Sequence, residues 1–177
     1  MINALKKAKD TKNPIVVHLN TQKGEGYAPA EAHREEFHFS APYDVADGEP
    51  LQQSNESNYI TDTRDYLLRK VKENPELLII SSATPEVFGF MEKERKACGN
   101  QYVDVAIAEQ TGVSTMAGAV RGGAKVIYPV MATFLQRAYD QLEQDWAMDN
   151  SPAVMPVMGT GIRALTDLTH LGFWDIP

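Results

Sequence analysis

Between residues 59 and 157 short apolar runs alternate with segments of helical spacing, and that order constrains the fold of this chain more than any other feature. Ile60, Arg64, Leu67, Leu68 and Val71 recur at helical intervals, and Glu73-Asn74-Pro75 stops that helix before the apolar strand Leu77-Leu78-Ile79-Ile80-Ser81. Thr84-Pro85 reads as an N-cap with proline at the first helical position, and Gly99 closes that helix. Tyr102 to Ile107 is the next strand, Gln110 to Arg121 the next helix, and Gly122-Gly123 its stop. Lys125 to Val130 reads as a strand, and Thr133 with Gln136 forms a capping-box pattern. The helix it opens presents Leu135, Ala138, Tyr139, Leu142 and Trp146 on one face, as core packing does. Ala153 to Val157 is a last strand, with Pro156 removing one ladder donor. Repeated strand-helix order predicts an α/β fold, a doubly wound and mostly parallel sheet with helices on both faces.

The residues before this region have a different pattern. Met1 to Asp10 reads as a short helix, and Pro14-Ile15-Val16-Val17-His18-Leu19 as a buried strand, followed by the glycine-bearing loop Thr21-Gln22-Lys23-Gly24-Glu25-Gly26-Tyr27. From Pro29 to Asn58 apolar residues come only in ones and twos among Glu, Pro, Ser, Asn and Gln, which reads as a linker. One strand has no partner for its backbone groups. The turn from Thr169 to Asp175 leads toward a further helix. These features predict a fragment: the C-terminal tail of one domain over 1–30, a linker over 31–58, and an incomplete second domain over 59–177.

A net charge of -7 with scattered basic residues argues against a nucleic-acid surface. The single cysteine, Cys98, excludes a disulfide framework and a thiolate cluster, which fits a cytoplasmic protein, and no apolar run reaches membrane-spanning length. His18, His33, His38 and His170 show no pair at metal-ligand spacing.

The stretch Asp104-Val105-Ala106-Ile107-Ala108-Glu109-Gln110 drives an apolar run into an acid at a strand-to-helix junction. In an open parallel sheet, ligands sit beyond the carboxyl ends of the strands, so Glu109 is expected to face such a crevice. Two roles fit it. Burial would raise its proton affinity and suit it to proton exchange; alternatively, it is a helix-start acid favoured by the macrodipole.

Four pieces, Val17 to Tyr27, Asp104 to Gln110, Thr133-Phe134-Leu135-Gln136-Arg137-Ala138-Tyr139-Asp140-Gln141 and Thr169-His170-Leu171-Gly172, in this order and at these separations, resemble the transketolase-like enzymes that use thiamine diphosphate. The nearest likeness is to the 1-deoxy-D-xylulose-5-phosphate synthase family. The resemblance implies a transferase that joins a two-carbon unit from pyruvate to an aldose phosphate, a step toward isoprenoid and thiamine precursors. A transketolase, a keto-acid dehydrogenase-type subunit and a non-catalytic α/β scaffold remain as alternatives. It implies a homodimer, thiamine diphosphate held between a diphosphate-binding and a pyrimidine-binding domain, and Mg2+ whose ligands lie in an upstream domain outside this chain. This piece alone is then expected to be inactive.

By the same resemblance Glu109 bonds the ring nitrogen of the aminopyrimidine. A carboxyl group can share a proton there, which activates the cofactor; a glutamine could not. Phe134 matches the aromatic residue stacked on the pyrimidine, with core packing as the alternative. Tyr27 matches a tyrosine at the cofactor, and Lys23 either approaches the phosphates or is a solvated loop lysine. His170 and His38 match histidines that pass protons or bond carbonyl oxygens in the substrate channel. Arg137 matches an arginine that binds the acceptor phosphate, with an ion pair to Asp140 or Asp145 as the alternative.

The chain departs from the family pattern on the acceptor side. Met158-Gly159-Thr160-Gly161 replaces an acidic-basic pair and glycine, so a second phosphate arginine is missing, with Arg163 close enough to substitute. Thr111 stands where a histidine is common, and Met131 where a tyrosine is. These departures imply a divergent paralogue with altered acceptor specificity.

Overall fold

The computed structural model describes residues 1–38, 40–51, 58–161 and 170–172. The helix α3 (Tyr59–Glu73) opens on a reciprocal cap. Asn58 Oδ1 accepts from the Ile60 and Thr61 amides at 3.0 and 3.1 Å, while the Asn58 amide donates to Thr61 Oγ1 at 3.0 Å. The helix ends at Asn74, before Pro75, as the sequence predicts. Its buried residues, Leu67 and Val71, lie one helical turn apart on the stripe that meets the sheet.

The sheet consists of β1 (Leu77–Ser81), β2 (Tyr102–Asp104), β3 (Lys125–Ile127) and β5 (Ala153–Val154), all parallel in the order β2-β1-β3-β5. Alternation along β1 sends successive side chains to opposite faces. Leu77 and Ile79 join Leu67, Val71, Phe88, Phe90 and Cys98 under α3 and α4 (Glu92–Cys98). Ile80 joins Val113, Met116, Val126, Tyr128, Val130 and Ala138 on the other face, under α5 (Glu109–Arg121). Each face is therefore covered by helices, and the predicted doubly wound parallel sheet is present.

Several elements depart from the expectation in detail. The helix predicted from Thr84 is broken: Pro85–Phe88 winds as a 3-10 turn, Gly89 takes φ 68°, and α4 starts only at Glu92. The strands predicted over Lys125–Val130 and Ala153–Val157 are each interrupted. β3 pairs with β5, and pairing resumes as β4 (Val130–Met131) with β6 (Val157–Met158). Register does not slip, since Val126 faces Ala153 and Val130 faces Val157. The gaps fall at Pro129 and Pro156, which cannot donate to the ladder. The predicted capping box at Thr133 does not form; Ala132–Ala138 is a 3-10 helix, succeeded by α6 (Tyr139–Gln141) and a π-helix over Leu142–Ala147. Of its expected core face, Ala138 is buried and Leu135, Leu142 and Trp146 pack against the core, but Tyr139 is 56% exposed. A further departure is the strand predicted over Pro14–Leu19. That segment joins no ladder among the described residues, and Val16 is 91% exposed. Its apolar run identifies a strand's composition, while a strand also needs a neighbour for its N–H and C=O groups.

The chain divides into two units, Met1–Asn55 and Glu56–Pro177. In the first, α1 (Ile2–Ala8) is exposed and α2 (Ala28–Ala32) comes after the glycine loop. The stretch expected to be a plain linker holds an aromatic cluster: Phe37 and Tyr43 rings stand 4.9 Å apart edge to face, and Tyr27 lies 5.7 and 6.0 Å from them. Among the described residues, no helix is long and apolar enough to cross a membrane.

Candidate functional site

Helix α5 buries Glu109, Gly112, Val113, Met116 and Ala117. These positions repeat at three and four residues, so Glu109 is the first place on the helix's apolar stripe rather than a surface acid at its start. It is 3% exposed, directly beyond the carboxyl end of β2, where the sequence places a ligand crevice. Its nearest charged neighbour is Arg137. Arg137 Nη1 stands 3.3 Å from Glu109 Oε2, the guanidinium about half exposed and the carboxylate buried. The distance is that of an ion pair, yet Oε2 accepts no hydrogen bond, so the guanidinium is near but not aimed. Arg137 thus pairs with Glu109, and not with Asp140 or Asp145 as local spacing allowed. Asp145 instead accepts from Ser114 Oγ at 2.5 Å.

Beneath the acid lies a pair that the sequence does not single out. Tyr128, fully buried, and Ser82, 3% exposed, share a hydrogen bond of 2.6 Å. Burial pushes the Tyr128 phenol up, the Ser82 bond opposes this, and the charge of Glu109 adds to the rise, which places that charge close to the ring. The phenol lies against Gly112, where an added Cβ would meet Tyr128 Oη at 2.6 Å. A glycine inside an otherwise good helix was the available signal.

The 3-10 helix Ala132–Ala138 packs against α5. With three residues per turn, it puts Phe134 and Arg137 on one side. Phe134 rests against the apolar cluster that includes Val113 and Met116, and its other partner is His170, whose ring stands 5.4 Å away edge to face. His170 is held there by the chain just beyond it: Gly172 and Gly161 exchange backbone hydrogen bonds of 3.0 and 3.3 Å. A side chain on Gly172 would collide with the Gly159 carbonyl oxygen and come within 2.8 Å of Ala132 Cβ, so only glycine fits. Four of the predicted site residues, Glu109, Arg137, Phe134 and His170, therefore line one connected region of the second unit.

Tyr27, Lys23 and His38 belong to the first unit. Lys23 Nζ lies 2.6 Å from His38 Nδ1, and Tyr27 Oη donates to the Val45 carbonyl at 3.1 Å. Gly24, at φ 82°, lets the backbone approach Ala30, whose carbonyl oxygen a Cβ would meet at 2.7 Å. Of the departing positions, Met131 and Met158 face each other across β4 and β6, Gly159 has φ 75°, and Thr111 is exposed on α5. Arg163 and Thr169 lie outside the described residues.

A buried acid with an unsatisfied oxygen, beyond the strand ends, fits a heteroaromatic base with whose ring nitrogen it can share a proton. The aminopyrimidine of thiamine diphosphate is such a group. No three acidic, histidine or cysteine residues among those described gather as a metal site.

No family model matches the chain. It is similar to 1-deoxy-D-xylulose-5-phosphate synthases: the protein from Halothermothrix orenii (strain H 168 / OCM 544 / DSM 9562) is 32% identical over 99% of this chain and 28% of its own length. That from Pelotomaculum thermopropionicum (strain DSM 13744 / JCM 10971 / SI) is 35% identical over 97% of this chain and 27% of its own length. That from Cronobacter sakazakii (strain ATCC BAA-894) is 36% identical over 99% of this chain and 28% of its own length. The chain spans about 28% of the length of the curated relatives it matches.

Proposed function

Because this chain is similar along nearly its whole length to one segment of the 1-deoxy-D-xylulose-5-phosphate synthases, we propose that it is part of a thiamine diphosphate-dependent transferase that condenses a two-carbon unit from pyruvate with an aldose phosphate. The observation that carries this reading is the buried, unsatisfied carboxylate oxygen of Glu109 beside the Phe134–Arg137 turn. Bound thiamine diphosphate supplies a thiazolium carbon able to take up a keto acid, release its carboxylate as carbon dioxide and pass on the remaining fragment.

The chain's own residues divide the remaining work. Glu109 holds a proton against the pyrimidine ring nitrogen, in a pocket that excludes water. Phe134 fixes the plane of that ring. Arg137 turns from Glu109 to the acceptor phosphate, for which a planar double donor is suited. His170 bonds the carbonyl oxygens of the substrates and moves protons to them. In this reading residues 1–30 end a diphosphate-binding domain, 31–58 link it onward, and 59–177 form most of a pyrimidine-binding domain. Mg2+ is held by residues upstream, and the active form is a homodimer. The small and apolar residues at Met158-Gly159 and Met131 favour a second reading of the acceptor side, a transketolase or keto-acid dehydrogenase-type substrate at the same half-site.

The test is Glu109→Gln in the intact protein. The amide keeps a hydrogen-bonding group but cannot exchange the proton, so turnover of pyruvate and glyceraldehyde phosphate should fall on the order of 100-fold or more. Unchanged turnover refutes the reading and leaves the scaffold role.

A further inference from the structure

The backbone is strained at two places immediately past the strand ends. Ala83 lies just beyond β1 with φ 57°, and Ala106 just beyond β2 with φ 59°. Left-handed backbone is unfavourable for an alanine, and it persists only where surrounding structure insists on it. One group meets both residues. Asp104 Oδ1 accepts from the Ala106 amide at 2.7 Å and from the Ala83 amide at 3.2 Å. The loops are tied further by the Val105 amide, which donates to Ser81 O at 2.9 Å, and by the Ala108 amide, which donates to Ala106 O at 2.8 Å.

Both strained loops bear on Glu109. Ala108, the residue before α5, makes no side-chain cap, and the turn from Val105 to Ala108 leads the chain into the helix. Next to Ala83 is Ser82, whose hydroxyl bonds Tyr128 against Gly112 of the same helix. One carboxylate oxygen therefore joins the loop that delivers Glu109 to the loop that seats the floor beneath it.

We infer that Asp104 is a positioning residue whose carboxylate clamps the two strand-end loops in left-handed conformations and so holds Glu109 in its buried place. Asp104 does not touch the reacting groups; it acts through the backbone of Ala106 and Ala83. The inference rests on the reading of Glu109 as the cofactor's proton partner.

The experiment compares four variants of the intact protein, measuring thiamine diphosphate affinity by calorimetry in the presence of Mg2+, turnover, and the urea midpoint. Asp104→Ala should weaken cofactor affinity and lower turnover by about 10- to 100-fold, since about 1 Å of misplacement carries that cost. Asp104→Asn keeps the accepting oxygen and should stay within about threefold of the parent, well under the tenfold that about 1.4 kcal/mol represents. The triple variant D104A/A83G/A106G should recover most of the loss, because glycine takes positive φ without a clamp. If Asp104→Ala does not fold, the triple variant still decides the matter by folding and binding cofactor. Parent-like affinity and turnover in Asp104→Ala, equal impairment in Asp104→Asn and Asp104→Ala, or no recovery in the triple variant would each overturn the clamp. Glu109→Gln, run beside them, separates the two ideas: if it leaves turnover intact, the reading of Glu109 fails; if it abolishes turnover while Asp104→Ala is unaffected, the clamp alone fails.

Discussion

Gly112→Ala should destabilise the chain, although alanine ordinarily stabilises a helix interior by about 1 kcal/mol relative to glycine. The added Cβ would lie 2.6 Å from Tyr128 Oη, 2.7 Å from Tyr128 Cζ and 3.1 Å from Ser82 Oγ. Ordinary van der Waals contact for a Cβ begins at 3.4 Å, so α5 or the phenol must shift by several tenths of an ångström. The phenol has little freedom to do so, being fully buried and bonded to Ser82 at 2.6 Å. Overpacking of this kind costs about 1–3 kcal/mol, and losing the Ser82–Tyr128 bond would add about 1 kcal/mol. Set against the propensity gain, a net loss of about 1–3 kcal/mol is expected. The same helix supplies the control. Gly118 is exposed and an added Cβ there meets nothing within 4 Å, so Gly118→Ala should gain about 0.5–1 kcal/mol. Urea unfolding of the two variants, monitored by far-ultraviolet circular dichroism, should move the midpoint in opposite directions. Equal stabilisation in both would mean that Tyr128 does not sit on α5, and the floor described beneath Glu109 would be wrong.

Asn58→Ala removes the reciprocal cap of α3 and should cost about 1 kcal/mol by the same unfolding measurement, with Asn58→Asp retaining most of it; indifference to both would show that the cap contributes nothing. Tyr102 gives a test in pH. Burial pushes its phenol from 10.0 up to about 12. The folded chain therefore keeps a proton that the unfolded chain releases first, so this contribution is whole below about pH 10 and disappears as pH rises toward about 12. Burial raises Tyr128 in the same direction. Tyr102→Phe should make the alkaline decline in stability less steep, and an identical decline in variant and parent would contradict the assignment.

Much of the architecture was legible because it depends on local order. The capped and proline-stopped helix α3, the apolar run of β1 and the Gly122-Gly123 stop after α5 each carry their own signal, and together they require a parallel sheet. What the sequence could not carry was partnership between distant segments. Pro14 to Leu19 has a strand's composition without a ladder, and local spacing offered Asp140 and Asp145 to Arg137 when the fold supplied Glu109. The Thr133 pattern is that of a capped α-helix, yet the segment winds as a 3-10 turn. The burial of Glu109 was readable from its place after an apolar run. The Ser82–Tyr128 floor was not, since its members are 46 residues apart and only Gly112 hinted at a close approach.

Glu109 shares its helical stripe with Val113, Met116 and Ala117, the residues that dock α5 on the sheet. Turning the helix by one residue would swing the acid through about 100° and lift its apolar companions into water at the same stroke. Concealment of the carboxyl and assembly of the interior are consequently coupled through one helix.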